Sequence, residues 1–308
     1  MTYALLLAKT ILQLFLIMAS GFLLVKIRIL KSGDSKVLSS LCLYLILPCV
    51  ILNAFQVEYT PDIRNGLMLA FLSAFVLHAL LFLLCFLLKK PLKLSNVEQA
   101  SLVYSNAGNL IIPIVTQMFG PEWVIYSTAF MTTQLVLLWS HGRMLVSGQH
   151  GFDPKKILLN CNMIAVLCGI VMFFFRIRLP GALGGFCSSV ASMTGPVSML
   201  ITGMLIAGID LVKVFSSRRV YLVSALRLIV APLALLTVLK LSGLSSLHPQ
   251  GGTILMISLL AAITPSASTV TQMALVYHAD ENTAGSVNVL TTLLCIVTMP
   301  VMILLWQL

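Results

Sequence analysis

An amide pair and a cluster of hydroxyls, each beside a proline inside an apolar run, are the residues of this sequence best placed to do chemistry. The first set is Asn106, Gly108 and Asn109, followed by Pro113; the second is Thr264, Pro265, Ser266 and Ser268. Both interrupt runs that otherwise read as membrane helices. Breaking a helix in hydrocarbon leaves amide N–H and carbonyl groups without partners, and such groups are costly there, so the breaks must face protein or a watery cavity. The half-helix that starts after a break points free N–H donors and a partial positive charge into that space. Two breaks meeting at mid-membrane depth would form a polar site suited to an anion such as a carboxylate. The expected chemistry is therefore recognition. Asn106 and Asn109 would supply side-chain donors, Ser266 and Ser268 would complete the site, and Gly108, Pro113 and Pro265 would hold the helices open. Plainer readings stand beside this one: a lone proline is commonly a kink, glycine and proline are frequent in membrane helices, and hydroxyls can bond their own helix backbone.

The elements that must position these residues follow from composition. Of 308 residues, 59% are apolar and 9% charged, against about a quarter charged in an ordinary soluble domain. The apolar residues fall in runs near the ~20 residues that cross a bilayer. Spans are expected at about 3–25, 37–57, 66–88, 98–119, 122–146, 157–175, 185–211, 220–240, 252–277 and 283–307. The fold class expected is an all-α polytopic membrane protein with ten transmembrane helices. Residues 1–147 would form a first five-helix repeat, 148–156 a central cytoplasmic loop and 157–308 a second five-helix repeat. An odd number of spans per half makes the halves enter the membrane from opposite sides, the inverted-repeat arrangement of many secondary transporters. Pro48 and Pro196, in the second span of each half, fit that division, as do the two interrupted fourth spans.

Lys and Arg outnumber Asp and Glu by 19 to 9. They form short clusters at the ends of apolar runs without interleaved aromatics, which argues for membrane orientation and against nucleic acid. Thirteen, from Lys26 to Arg219, fall on one side of the expected topology and only Arg64, Arg176, Arg178 and Lys240 on the other. That asymmetry makes the first loop cytoplasmic and both termini external. The seven cysteines lie mostly inside apolar segments, with no CxxC pair, and read as small buried hydrophobes. Every carboxylate falls in a loop or at a helix end, which disfavours a proton relay or tight sodium site built on a buried acid.

Several polar residues remain inside spans. Lys9 and Arg227 lie within snorkelling reach of an interface; the functional alternative is that either concentrates an anion. His78 could carry a proton or sit neutral and hydrogen-bonded. Gln134 and Asn288, on the fifth span of each half, either line the cavity with Arg227 or bond between helices.

The run Ser105-Asn106-Ala107-Gly108-Asn109-Leu110-Ile111-Ile112-Pro113 resembles the fourth-helix signature of the auxin efflux carrier family, which includes plant PIN-FORMED carriers and bacterial carriers of organic acids. The resemblance extends through Leu47-Pro48, Gln134 with Trp139-Ser140-His141-Gly142, Ser198-Met199-Leu200 to Ala207-Gly208, Thr264-Pro265-Ser266-Ala267, and Leu290-Thr291-Thr292-Leu293 to Pro300. It implies ten helices in two inverted repeats, with broken helices 4 and 9 crossing. It also implies an elevator in which helices three to five and eight to ten slide against the rest. Asn106 and Pro113 would belong to the first crossing and Pro265 to the second. Ile111 and Val270 stand where many members, or plant members, have glycine and proline. The short central loop favours the bacterial organic-acid type.

Together these readings predict a secondary transporter of the plasma membrane that moves a small organic anion by alternating access. The alternatives are a non-transporting receptor or sensor on a carrier fold, or an ion-coupled symporter of another anion class. A membrane enzyme is not expected, since no HExxH, GxSxG or intramembrane aspartate pair is present. No cofactor or metal is expected. The partners expected are the organic anion and the lipid bilayer, with a homodimer left open.

Overall fold

A computed structural model describes residues 2–148, Lys155 and 158–308. The described chain is helical nearly throughout. The first half contains α1 (Thr2–Lys26), α2 (Ser32–Ala54), α3 (Pro61–Lys89), α4 (Asn96–Val103), α5 (Ala107–Met118) and α6 (124–147). The second contains α7 (Cys161–Phe174), α8 (Gly181–Ala207), α9 (Leu211–Ser216), α10 (Arg218–Leu241), α11 (Gly251–Ile263), α12 (Ser268–Val276) and α13 (Glu281–Gln307). Among the described residues six helices, α1, α2, α3, α8, α10 and α13, are long and apolar enough to cross a membrane, and α5, α7 and α11 are shorter apolar helices. The protein is a polytopic helical membrane protein. Of the central loop expected at 148–156, only Gly148 and Lys155 are described; the rest, with Ile157 at the expected start of the next span, lies outside the described residues.

Polar residues set where helices begin. Thr60 accepts a hydrogen bond from the Ile63 N–H and Pro61 occupies the first turn of α3, where its missing N–H costs nothing. At α4, the Ser95 hydroxyl accepts from the Glu98 N–H while the Glu98 carboxylate accepts from the Ser95 N–H, a reciprocal cap. Glu98 is buried and also takes Arg219 of α10 at 2.5 and 2.7 Å. The starts of α4 and α10 are thereby pinned together.

Three helices contain a π turn: Cys42–Ile46 in α2, Leu138–Gly142 in α6 and Leu226–Val230 in α10. In α2 and α10 a proline follows two residues later, Pro48 and Pro232. A proline ring clashes with the carbonyl four residues back and offers it no N–H; the widened turn moves that carbonyl aside. In α6 the cause is a side chain. The Tyr104 hydroxyl donates to the Leu137 carbonyl at 2.9 Å and sits 2.9 Å from His141 Nδ1. In α8 the helix is jogged at Met193, three residues before Pro196.

Glycines set the closest helix packing. A methyl on Gly203 of α8 would overlap the Met18 carbonyl of α1, and one on Gly21 of α1 would meet the Leu200 carbonyl of α8. Backbones this close gain dispersion contacts that lipid cannot supply. Elsewhere α2 packs on α7 and α8, while α3 packs on α6 and α11. The Ser73 hydroxyl of α3 donates to the Ser258 hydroxyl of α11 at 2.7 Å.

Candidate binding site at the helix crossing

The fourth and ninth expected spans are each interrupted. Helix α4 ends at Val103 and α5 begins at Ala107; α11 ends at Ile263 and α12 begins at Ser268. The unwound stretches lie against each other as a minimal antiparallel pair centred on Ser105 and Ser266. The Asn106 N–H donates to the Pro265 carbonyl at 2.8 Å, and the Ala267 N–H donates to the Tyr104 carbonyl at 3.0 Å. Each break therefore satisfies part of the other.

An antiparallel pair of this register turns the backbone groups of Ser105 and Ser266 away from the partner strand, and both residues are buried. The neighbouring helices supply what is missing. Gln134 of α6 accepts from the Ser105 N–H at 2.9 Å and from its hydroxyl at 2.6 Å, and donates to its carbonyl at 2.8 Å. On the other side Asn288 of α13 donates to the Ser266 carbonyl at 2.6 Å, and the Ser266 N–H donates to the Thr291 hydroxyl at 3.1 Å. The Ser266 hydroxyl is buried without a partner among the described residues. Both Gln134 and Asn288 thus act between helices and are held on the crossing's backbone.

Arg227 departs from the interface reading. It has no solvent exposure at all. Its Nη1 donates to the Leu102 carbonyl at 2.9 Å, its Nη2 to those of Ala262 and Thr264 at 2.6 and 2.8 Å, and its Nε to Thr264 at 3.2 Å. Snorkelling fails here because the helix ends of α4 and α11 offer carbonyls that nothing else takes. Lys9 is exposed on α1. His78 is buried, bonded through Nδ1 to the Ala74 carbonyl at 2.8 Å, with its ring centroid 4.5 Å from that of Phe130.

On the opposite side of the crossing, α5 and α12 begin. The N–H groups of Ala107 and Gly108, and of Ser268 and Thr269, have no carbonyl one helical turn earlier to receive them. Asn106 is buried; its Oδ1 accepts from Asn109 Nδ2 at 3.0 Å and from the Ser268 hydroxyl at 3.5 Å. Asn106, Asn109 and Ser268 therefore form one polar group drawn from both breaks. Its members Asn109 and Ser268, with Gly108 and Thr269, are half-exposed. A methyl on Gly108 would meet nothing within 4 Å, so that side of the helix start faces open space.

Three expected site residues contribute indirectly, Pro113 from within α5 and Thr264 and Pro265 from the second break itself. Pro113 is not at the break but inside α5, where a methyl on Gly195 of α8 would come within 3.1 Å of its Cβ. Its contribution is indirect: lacking an N–H, it leaves the Asn109 carbonyl four residues back without its helical donor. The Thr264 hydroxyl donates to the Ala261 carbonyl at 3.0 Å, while its own carbonyl belongs to Arg227. Pro265 serves through its carbonyl. Sequence reading passed over Tyr104, whose hydroxyl braces the first break against α6, and the role of Thr291. Thr291 was within reach, because it lies three residues after Asn288 and hence on the same helix face. A separate cleft between α2 and α7, lined by Phe55, Tyr59, Phe173, Arg176 and Arg178, is distant in sequence and composition from this cluster.

A family model described as membrane transport protein matches residues 6–151 and 149–303. These stretches span nearly the whole chain and support the resemblance carried by its motifs. No curated protein matches the chain.

Proposed function

We propose that this chain, which belongs to the membrane transport protein family, is a secondary carrier that moves a small organic anion of the carboxylate class through the helix crossing by alternating access. The observation that carries this reading is the meeting of two unwound stretches whose following helices both start at one polar group.

A carboxylate placed against the starts of α5 and α12 receives backbone N–H donors and the positive ends of two helix dipoles. The internal hydrogen bonds of the Asn106 side chain fall on its Oδ1, so its Nδ2 can donate to the anion without breaking an internal bond. Ser268 and Asn109 supply adaptable donors around it. The Ser266 hydroxyl, buried and unpaired, is a further donor within the same stretch. Gln134 and Asn288 position the unwound backbone, and their amides are committed to it.

The larger architecture follows the same reading. Ten passes in two inverted repeats arise if α4 with α5, and α11 with α12, each count as one interrupted span and α9 as a connector. The two breaks then occupy matching places in residues 1–147 and 157–308. The tight α1 to α8 packing, with α2 and α7, suits a scaffold; α3 to α6 with α10 to α13 suit the moving body of an elevator. The asymmetry of the basic clusters supports a topology with both termini outside, in the plasma membrane on this reading. The short central segment favours the bacterial organic-acid type over the plant PIN-FORMED carriers.

The test is uptake of labelled dicarboxylates and monocarboxylates into proteoliposomes. Saturation and counter-flow are expected for the wild type. Asn106→Ala should reduce uptake at least about tenfold, the cost of one charge-assisted hydrogen bond, with its melting temperature and monodispersity kept. Near-normal uptake by Asn106→Ala would remove this site, and binding without counter-flow would replace the carrier by a receptor.

A further inference from the structure

We propose that the Arg227 guanidinium is a built-in cation that does at the crossing what a coupling metal ion would do, so that this site works without sodium or potassium. The inference rests on the carrier reading above and deepens it.

Carriers with interrupted helices commonly use unwound carbonyls and the C-terminal ends of half-helices to hold a coupling cation, while the N-terminal ends face the anionic substrate. This crossing has both kinds of end. Its C-terminal ends are the Leu102 carbonyl of α4 and the Ala262 and Thr264 carbonyls at the end of α11. All three are taken by one guanidinium at 2.6 to 3.2 Å. The positions a metal ion would need are thus filled by nitrogen donors from α10, and the carbonyls come from both breaks.

Charge balance points the same way. Arg227 is fully buried, and its hydrogen-bond partners are dipoles rather than a carboxylate. Among the described residues the carboxylates lie in loops or at helix ends, and the buried one, Glu98, is occupied by Arg219. A buried charge compensated only by dipoles is expensive. An anion arriving at the N-terminal ends of α5 and α12 lowers that expense, because it faces a fixed positive charge across the two-stranded crossing. A mobile cation would have to be recruited with each substrate, whereas a tethered one is present in every cycle. The π turn that contains Arg227 gives it an irregular backbone beside Pro232, which re-aims the side chain between the two helix ends.

The experiment measures melting of the purified full-length protein in sodium, potassium or choline chloride at equal ionic strength. Wild type and Arg227→Lys should melt alike in all three salts. Arg227→Ala should melt roughly 10 °C lower in choline, as expected for opening a buried charge site, and should recover at least half of that loss with millimolar methylguanidinium or sodium. If Arg227→Ala yields no folded protein in any salt, Arg227→Met decides: loss of folding there with Arg227→Lys intact supports the tethered cation, and wild-type stability of Arg227→Met overturns it. Selective stabilisation of the wild type by sodium or potassium also overturns it, as does an Arg227→Ala protein that no cation rescues. The readout uses no substrate. Failure of uptake would therefore sink the carrier reading alone, and sodium-dependent melting of the wild type would sink this inference alone.

Discussion

The two breaks solve the same problem with different chemistry. At the first, one side chain serves one residue: Gln134 satisfies the Ser105 N–H, carbonyl and hydroxyl together. At the second the work is divided between Asn288 and Thr291, and the Ser266 hydroxyl is left unpaired. The first stretch is held closed on itself, and its polar surplus lies further along, in Asn106 and Asn109. The second keeps a free donor in the stretch itself. The two breaks thus differ: the first is braced more heavily, and the second offers more unsatisfied hydrogen-bonding capacity.

This difference makes ranked predictions. The largest loss is expected from Gln134→Leu, which strands the buried N–H and carbonyl of Ser105; at about 1–3 kcal/mol for each stranded group, the melting temperature should fall by roughly 10 °C and expression should suffer. Asn288→Leu strands one carbonyl, so about half that shift is expected in the same melting assay. Equal losses from the two substitutions would mean that the breaks are braced alike. Ser266→Ala removes a hydroxyl that has no internal partner, so stability should stay within about 0.5 kcal/mol of wild type while the apparent KM for the anion rises. Ser105→Ala should reverse that pattern, losing about 1 kcal/mol with little change in KM. The smallest effect belongs to Glu98→Gln beside the half-exposed Arg219. Solvent screening limits the ion pair, and a melting shift of about 1 °C or less is expected.

How far the molecule could be read from its residues depends on the range of the interaction. Helices and their interruptions were legible, because hydropathy runs are local and an Asn-x-x-Asn or Thr-Pro-Ser inside one is costly unless the helix opens. The pairing of Tyr104 with Ala267 and of Asn106 with Pro265 was not, since it joins stretches from opposite halves and no side-chain pattern encodes it. Gln134 and Asn288 were singled out as polar residues at depth, and their two readings, cavity or interhelical bond, could be separated only once the unwound carbonyls had positions. Arg227 misled for a physical reason. Distance from a helix end suggests snorkelling, yet a buried cation bonded to no carboxylate finds the free carbonyls that broken helices create. Pro113 looked like the breaking residue, but it lies within α5, and the unwound stretch 104–106 ends seven residues before it.

The central claim is that an anion is held by the starts of α5 and α12 where the two unwound stretches meet. Hydrogen exchange of the reconstituted protein, with and without a saturating transported carboxylate, tests it at the backbone groups concerned. Slowed exchange confined to peptides covering 105–110 and 266–271 is the predicted result. Unchanged exchange at both stretches, under conditions where the same preparation shows saturable uptake, would contradict it.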